Sequence, residues 1–94
     1  MIIEGYRFKF LSGEALREAE KTLLLATLAV EGLYGESRVR MDAAYVLDGV
    51  QFTIVVDASS EVGQDIANIF TAFLAKELGH NKFLVQRLAA EVRV

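Results

Sequence analysis

The sequence predicts one α+β domain spanning residues 1–94, with two helices packed on one face of a four-stranded antiparallel sheet. Three observations predict it. An Asp48-Gly49 pair stands between two alternating apolar runs, the signature of a tight hairpin. Two stretches with helical periodicity, Ser12 to Leu33 and Ser60 to Leu78, bracket that hairpin. Segments rich in aromatic and β-branched residues stand at either end of the chain. The element order is therefore β-α-β-β-α-β.

The first strand covers residues 2–10, with Tyr6, Phe8 and Phe10 on one face and Gly5, Arg7 and Lys9 on the other. Ser12 caps the first helix, whose stripe of Leu16, Ala19, Leu23, Ala26, Val30 and Leu33 faces the core. Leu24, Leu25 and Leu28 project on the outer side, and Gly32 and Gly35 end the helix. The hairpin runs from Ser37 to Asp57. A two-residue turn sets Leu47 opposite Val50, Tyr45 opposite Phe52, Ala43 opposite Ile54 and Met41 opposite Val56. The other face pairs Val46 with Gln51, Ala44 with Thr53, Asp42 with Val55, and Arg40 with Asp57. Ser59 or Ser60 caps the second helix, Val62, Ile66, Ile69, Phe70, Phe73 and Leu74 are buried, and Gly79 terminates it. Phe83 to Val94 forms the last strand, with Leu84, Leu88, Ala90 and Val92 in the apolar phase. A helical reading of Leu84 to Glu91 competes with it.

Across the whole chain this element order resembles the ferredoxin-like superfold, which implies strand order 4-1-3-2. That resemblance carries no function by itself. Acylphosphatase-like enzymes of this plan hold phosphate with an arginine in the loop after the first strand and an asparagine on the second. Here the loop is Phe10-Leu11-Ser12-Gly13-Glu14 and neither residue is present. RNA-recognition modules stack bases on aromatic residues of the open sheet face. The expected open face here, with Arg7, Lys9, Gln51, Thr53 and Val55, has no ring.

Composition narrows the classes further. The net charge of −3 gives no basic field to attract nucleic acid or an anionic membrane. There is no cysteine, so disulfides, thiol catalysis and thiolate-bound metals are excluded. The longest apolar run, Leu23 to Val30, is too short to span a bilayer, and no secretory signal is visible. A cytoplasmic location is the expectation. His80 is the single histidine and reads as a helix-end surface residue. Asp42, Asp57 and Glu61 read as a solvated strand acid, an acid paired with Arg40 and a helix-dipole acid, not as a cation cluster. No catalytic residue, cofactor or metal is expected.

What remains is apolar surface in excess of one two-layer domain. Leu24, Leu25 and Leu28 lie outside the helix stripe, and Ala44, Val46, Thr53 and Val55, flanked by Arg40, Arg7 and Lys9, lie on the uncovered sheet face. The expected function is a small non-enzymatic module that binds itself, as a homodimer or higher oligomer, or another protein, and not nucleic acid or membrane. The alternative is a ligand-sensing domain. It would hold a small anion or amino acid at the helix N-termini, Ser12 with Gly13 and Ser59 with Ser60, expected at one end of the sheet.

Overall fold

The computed structural model describes residues 4–89. Within them the order is β1 (Gly5–Phe10), α1 (Gly13–Tyr34), α2 (Glu36–Asp42), β2 (Tyr45–Asp48), β3 (Thr53–Asp57), α3 (Glu61–Glu77), a 3-10 turn (His80–Lys82) and β4 (Phe83–Leu88). The first residues of the expected first strand and Ala90 to Val94 of the last lie outside the described residues.

The long helices start where their caps place them. Ser12 Oγ accepts from Ala15 N at 3.1 Å and Ser60 Oγ accepts from Gly63 N at 3.0 Å, each satisfying an otherwise orphaned helix N–H. Gly35 and Gly79 follow the helices with φ of 87°, a backbone region in which a Cβ is costly. Gly32 stays inside α1. Gly63 has a different role: a Cβ there would sit 2.1 Å from the carbonyl oxygen of Asp57, so α3 can lie against the end of β3 only with glycine at that position.

Phe8 and Phe10 of β1 and Ile54 and Val56 of β3 are buried on one side of the sheet. Leu16, Ala19, Leu23, Ala26 and Val30 of α1 and Val62, Ile66, Ala67, Phe70 and Leu74 of α3 close over them. Phe8 and Phe70 meet at a ring-centroid distance of 4.7 Å. Between the helices, the buried Thr22 hydroxyl approaches Glu18 O at 3.2 Å and Glu77 Oε2 at 3.4 Å.

The expected two-helix β-α-β-β-α-β architecture is corrected. The chain is α+β, but a third helix, α2, occupies the segment read as the start of the second strand. Its sequence, ESRVRMD, sets Glu36 and Arg40 one turn apart, with a 2.7 Å ion pair, and Arg38 and Asp42 likewise at 3.6 Å. Only Val39 of this helix is buried, so a short helix gives the core its one apolar contact while keeping four charged side chains in water. The expected two-residue turn extends the strand back to Met41 opposite Val56, but Met41 is 84% exposed. The sheet, counted from the β2 edge, runs β2-β3-β1-β4, with every neighbouring pair antiparallel.

The hairpin register is also corrected. Leu47 lies opposite Ile54, Tyr45 opposite Val56, Val46 opposite Val55 and Asp48 opposite Thr53. The loop holds four residues, Gly49 to Phe52, because Asp48 Oδ1 accepts from both Val50 N and Gln51 N at 2.9 and 3.1 Å. Phe52 leaves the ladder with φ of 58°, its carbonyl accepts from Phe10 N, and its ring packs beside Gly13. Each partner shifts by an even number of residues, so side chains keep their faces. Arg40 does not meet Asp57; Asp57 Oδ1 instead accepts from Ser59 N and Oγ.

Two apolar phases differ from expectation. Leu33 is 73% exposed, not in the core stripe, because a 3.5-residue spacing drifts against a 3.6-residue helix and Tyr34 takes the inward position. In β4, Phe83 faces the core opposite Phe10, while Leu84 lies opposite Lys9 on the open face, 72% exposed.

Candidate interaction surfaces

Exposed apolar side chains are scattered over the described residues, with Leu11, Met41 and Val50 among them, and two groupings fall where the sequence places an interface. The first is the outer side of α1. Leu24 and Leu25 are each 53% exposed and Leu28 is 60% exposed. Ala29, Gly32 and Leu33 continue the surface. No ionisable residue occurs between Lys21 and Glu31, so this half of the helix is apolar on both sides. The leucines do not rotate inward, because Leu23, Ala26 and Val30 already fill the sheet side.

The C-terminal half of α1 is held in place from below. Tyr34 donates a hydrogen bond to Asp65 Oδ2 of α3 at 2.5 Å, and the Arg38 guanidinium lies 4.7 Å from the Tyr34 ring centroid. The Asp65 hydrogen bond is the main reason the Tyr34 phenol is pushed up from 10.0 to about 12, with burial and the nearby Asp65 and Glu61 charges adding to it and Arg38 opposing. Arg38 also reaches Glu61 at 3.8 Å.

The second surface is the open sheet face. Register places Val46, Val55, Arg7 and Gln86 in one row across the four strands, and Asp48, Thr53, Lys9 and Leu84 in the next. Val46 and Ala44 are exposed, Val55 is half-buried and Thr53 is buried. Arg40, expected at the margin of this face, is on α2 instead. The centre is cationic: Arg7 and Lys9 are exposed neighbours on one face of β1, and Arg7 Nη1 donates to Gln86 Oε1 at 3.3 Å. A concavity of about 380 Å³ lies over them, walled by Gln51, Thr53, Leu84 and Gln86. Asp48, the acid in the Lys9 row, stands two strands away and its Oδ1 is taken by two loop N–H groups.

The expected pair of helix N-termini does not converge. β1 and β3 are antiparallel neighbours, so the loops that follow them leave from opposite ends of the sheet. Ser12-Gly13 follows Phe10, beside the hairpin loop, whereas Ala58 N bonds Glu4 O and carries Ser59-Ser60 to the other end. The serines are also engaged: Ser12 and Ser60 in capping, Ser59 with Asp57, and Ser60 Oγ with Asp42 O at 3.2 Å.

Among the described residues no group of three or more His, Asp or Glu side chains is placed to hold a metal, and no helix is long and apolar enough to cross a membrane. Comparison with protein-family models, curated proteins and solved structures gives no match.

Sequence reasoning found Leu24, Leu25 and Leu28 but missed Leu33 and Leu84. The Leu33 signal was available: after Val30 the nearer full turn is Tyr34, not Leu33.

Proposed function

We propose that this chain is a cytoplasmic, non-enzymatic module that forms a homodimer through the outer side of α1. One observation carries the reading: Leu24, Leu25 and Leu28 are all more than half exposed on a stretch with no charged residue between Lys21 and Glu31, and Leu33, exposed too, follows just beyond Glu31. A twofold dimer brings the same patch against itself, so the patch must tolerate its own copy. A neutral apolar stripe does. Ala29 and Gly32 among the leucines allow two helices to approach closely.

The open sheet face is the poorer choice for the same contact. A face-to-face twofold dimer would bring Arg7 and Lys9 towards the same cations of a second copy, with desolvation added to repulsion. The expectation of two alternative surfaces thus narrows to one.

Magnitudes support a reversible complex. A buried leucine contributes about 1.5–3 kcal/mol. Eight leucines per dimer, each giving up roughly half its surface, contribute about 6–12 kcal/mol in total. Lost translational and rotational freedom opposes this by about 4–15 kcal/mol. Only the favourable ends of the two ranges leave the about 8 kcal/mol of a micromolar dissociation constant, so a weak, reversible dimer is the most these leucines sustain. Light scattering across the micromolar range is the test. A mass rising from one chain to two supports the reading, and a single-chain mass at every concentration removes it.

A further inference from the structure

The concavity on the open sheet face has a composition that the dimer does not use. It combines two adjacent cations, two side-chain amides, one hydroxyl and two apolar residues, Leu84 and Val85. We propose that it binds a small organic anion, its carboxylate or phosphate head between Arg7 and Lys9 and its apolar part along Leu84.

The geometry supports each half of that ligand. Arg7 and Lys9 are two residues apart on a strand, so their side chains leave the sheet about 6.5–7 Å from each other. One anionic head can reach both. Arg7 is already oriented by Gln86 Oε1, which fixes one edge of the guanidinium and leaves other N–H groups for a ligand. Thr53, opposite Lys9 on β3, adds a hydroxyl that makes no side-chain hydrogen bond among the described residues. Leu84 lies opposite Lys9 on the other flank and offers an apolar wall beside the charge.

The volume, about 380 Å³, falls in the range of about 300–1,000 Å³ occupied by small-molecule sites. The charge is unusual for this chain, whose net value is −3. Neither Arg7 nor Lys9 is within ion-pair distance of an acid among the described residues. A second copy of the chain does not complement the patch, since it would bring the same two cations. An anion does, and bidentate guanidinium contact with carboxylate or phosphate oxygens is its strongest form.

Amide-resolved NMR titration tests this with four probes: hexanoate, phenyl phosphate, inorganic phosphate and uncharged hexanol. The expected result is saturable shifts at Arg7, Lys9, Thr53, Leu84 and Gln86 with hexanoate, phenyl phosphate or both. The tighter of the two identifies the head group. Arg7→Gln with Lys9→Gln weakens that binding by about tenfold or more, whereas Lys9→Arg retains it. Leu84→Ser reduces the advantage of phenyl phosphate over inorganic phosphate. The proposal is overturned if millimolar hexanoate and phenyl phosphate leave these amides unmoved, or if hexanol moves them as much. Binding undiminished in the double glutamine variant, or inorganic phosphate binding as tightly as phenyl phosphate, also overturns it. The titration reads the same in a monomeric Leu25→Glu, Leu28→Glu variant, so its outcome is independent of the dimer.

Discussion

The outer side of α1 and the open face of the sheet both leave apolar atoms in water, yet their centres differ. The middle of the α1 surface is Leu25, Leu28 and Ala29, with the nearest charges at Lys21 and Glu31. The middle of the sheet face is Arg7 and Lys9, with Val46, Val55 and Leu84 around them. Exposed apolar area alone does not name a partner; what lies at its centre does. A neutral centre accepts an identical copy, whereas a cationic centre rejects the copy and selects an anion. On the proposed reading the two regions divide two tasks that the sequence left joined.

The comparison can be broken first along α1 itself, between its two sides. Leu23→Ala removes a fully buried side chain and is expected to destabilise folding by about 2–5 kcal/mol, whereas Leu25→Ala changes monomer stability by less than about 0.5 kcal/mol. Urea denaturation at concentrations where the chain is monomeric checks both. Equal losses would mean that the outer leucine is not in water.

Next in size is the effect on association. Leu25→Glu with Leu28→Glu sets charges in the dimer centre and is expected to raise its dissociation constant by at least about a hundredfold, equivalent to about 2.7 kcal/mol. Circular dichroism should stay unchanged, since both positions are exposed.

Smaller still is the contribution of Tyr34, which holds the end of α1 to α3. Its phenol is raised to about 12 from 10.0, so the protonated form is favoured in the folded chain. The stabilisation it gives is complete below pH 10 and is lost as pH rises through about 12. Ultraviolet titration should contain a component near 12 that Tyr34→Phe removes. Its survival in that variant would assign it elsewhere.

The smallest expected effect is none at all. Arg7→Glu with Lys9→Glu should leave the dimer mass unchanged, because the proposed interface lies on α1. A change in mass would move the interface to the sheet.

How far these surfaces were legible in sequence depends on the range of the forces that shape them. Ser12 was readable as a cap, and Ser60 as one of two candidates beside Ser59, because a cap is a contact over three residues. The outward leucines followed from helical geometry alone. Asp48-Gly49 correctly marked a reversal, but the register was not readable, because the Asp48 side chain and the contacts of Phe52 with Phe10 and Gly13 lengthen the loop. The α2 helix was missed although Glu36–Arg40 and Arg38–Asp42 stand at helical spacing; extending the hairpin ladder back to Met41 and Arg40 outweighed them. The helix N-termini were misplaced for a topological reason, since antiparallel β1 and β3 send their exits to opposite ends. The cationic concavity was half legible. Arg7 and Lys9 were assigned to the open face, but Leu84 joined them only once β4 was seen to pair with its Phe83 inward.

Sedimentation equilibrium of the unmodified chain from low to high micromolar concentration addresses the central claim most directly. The expected mass climbs towards twice the 10.4 kDa of one chain and falls back to one chain when Leu25 and Leu28 are replaced by Glu. A constant 10.4 kDa across the range, or a dimer indifferent to those two substitutions, would contradict it.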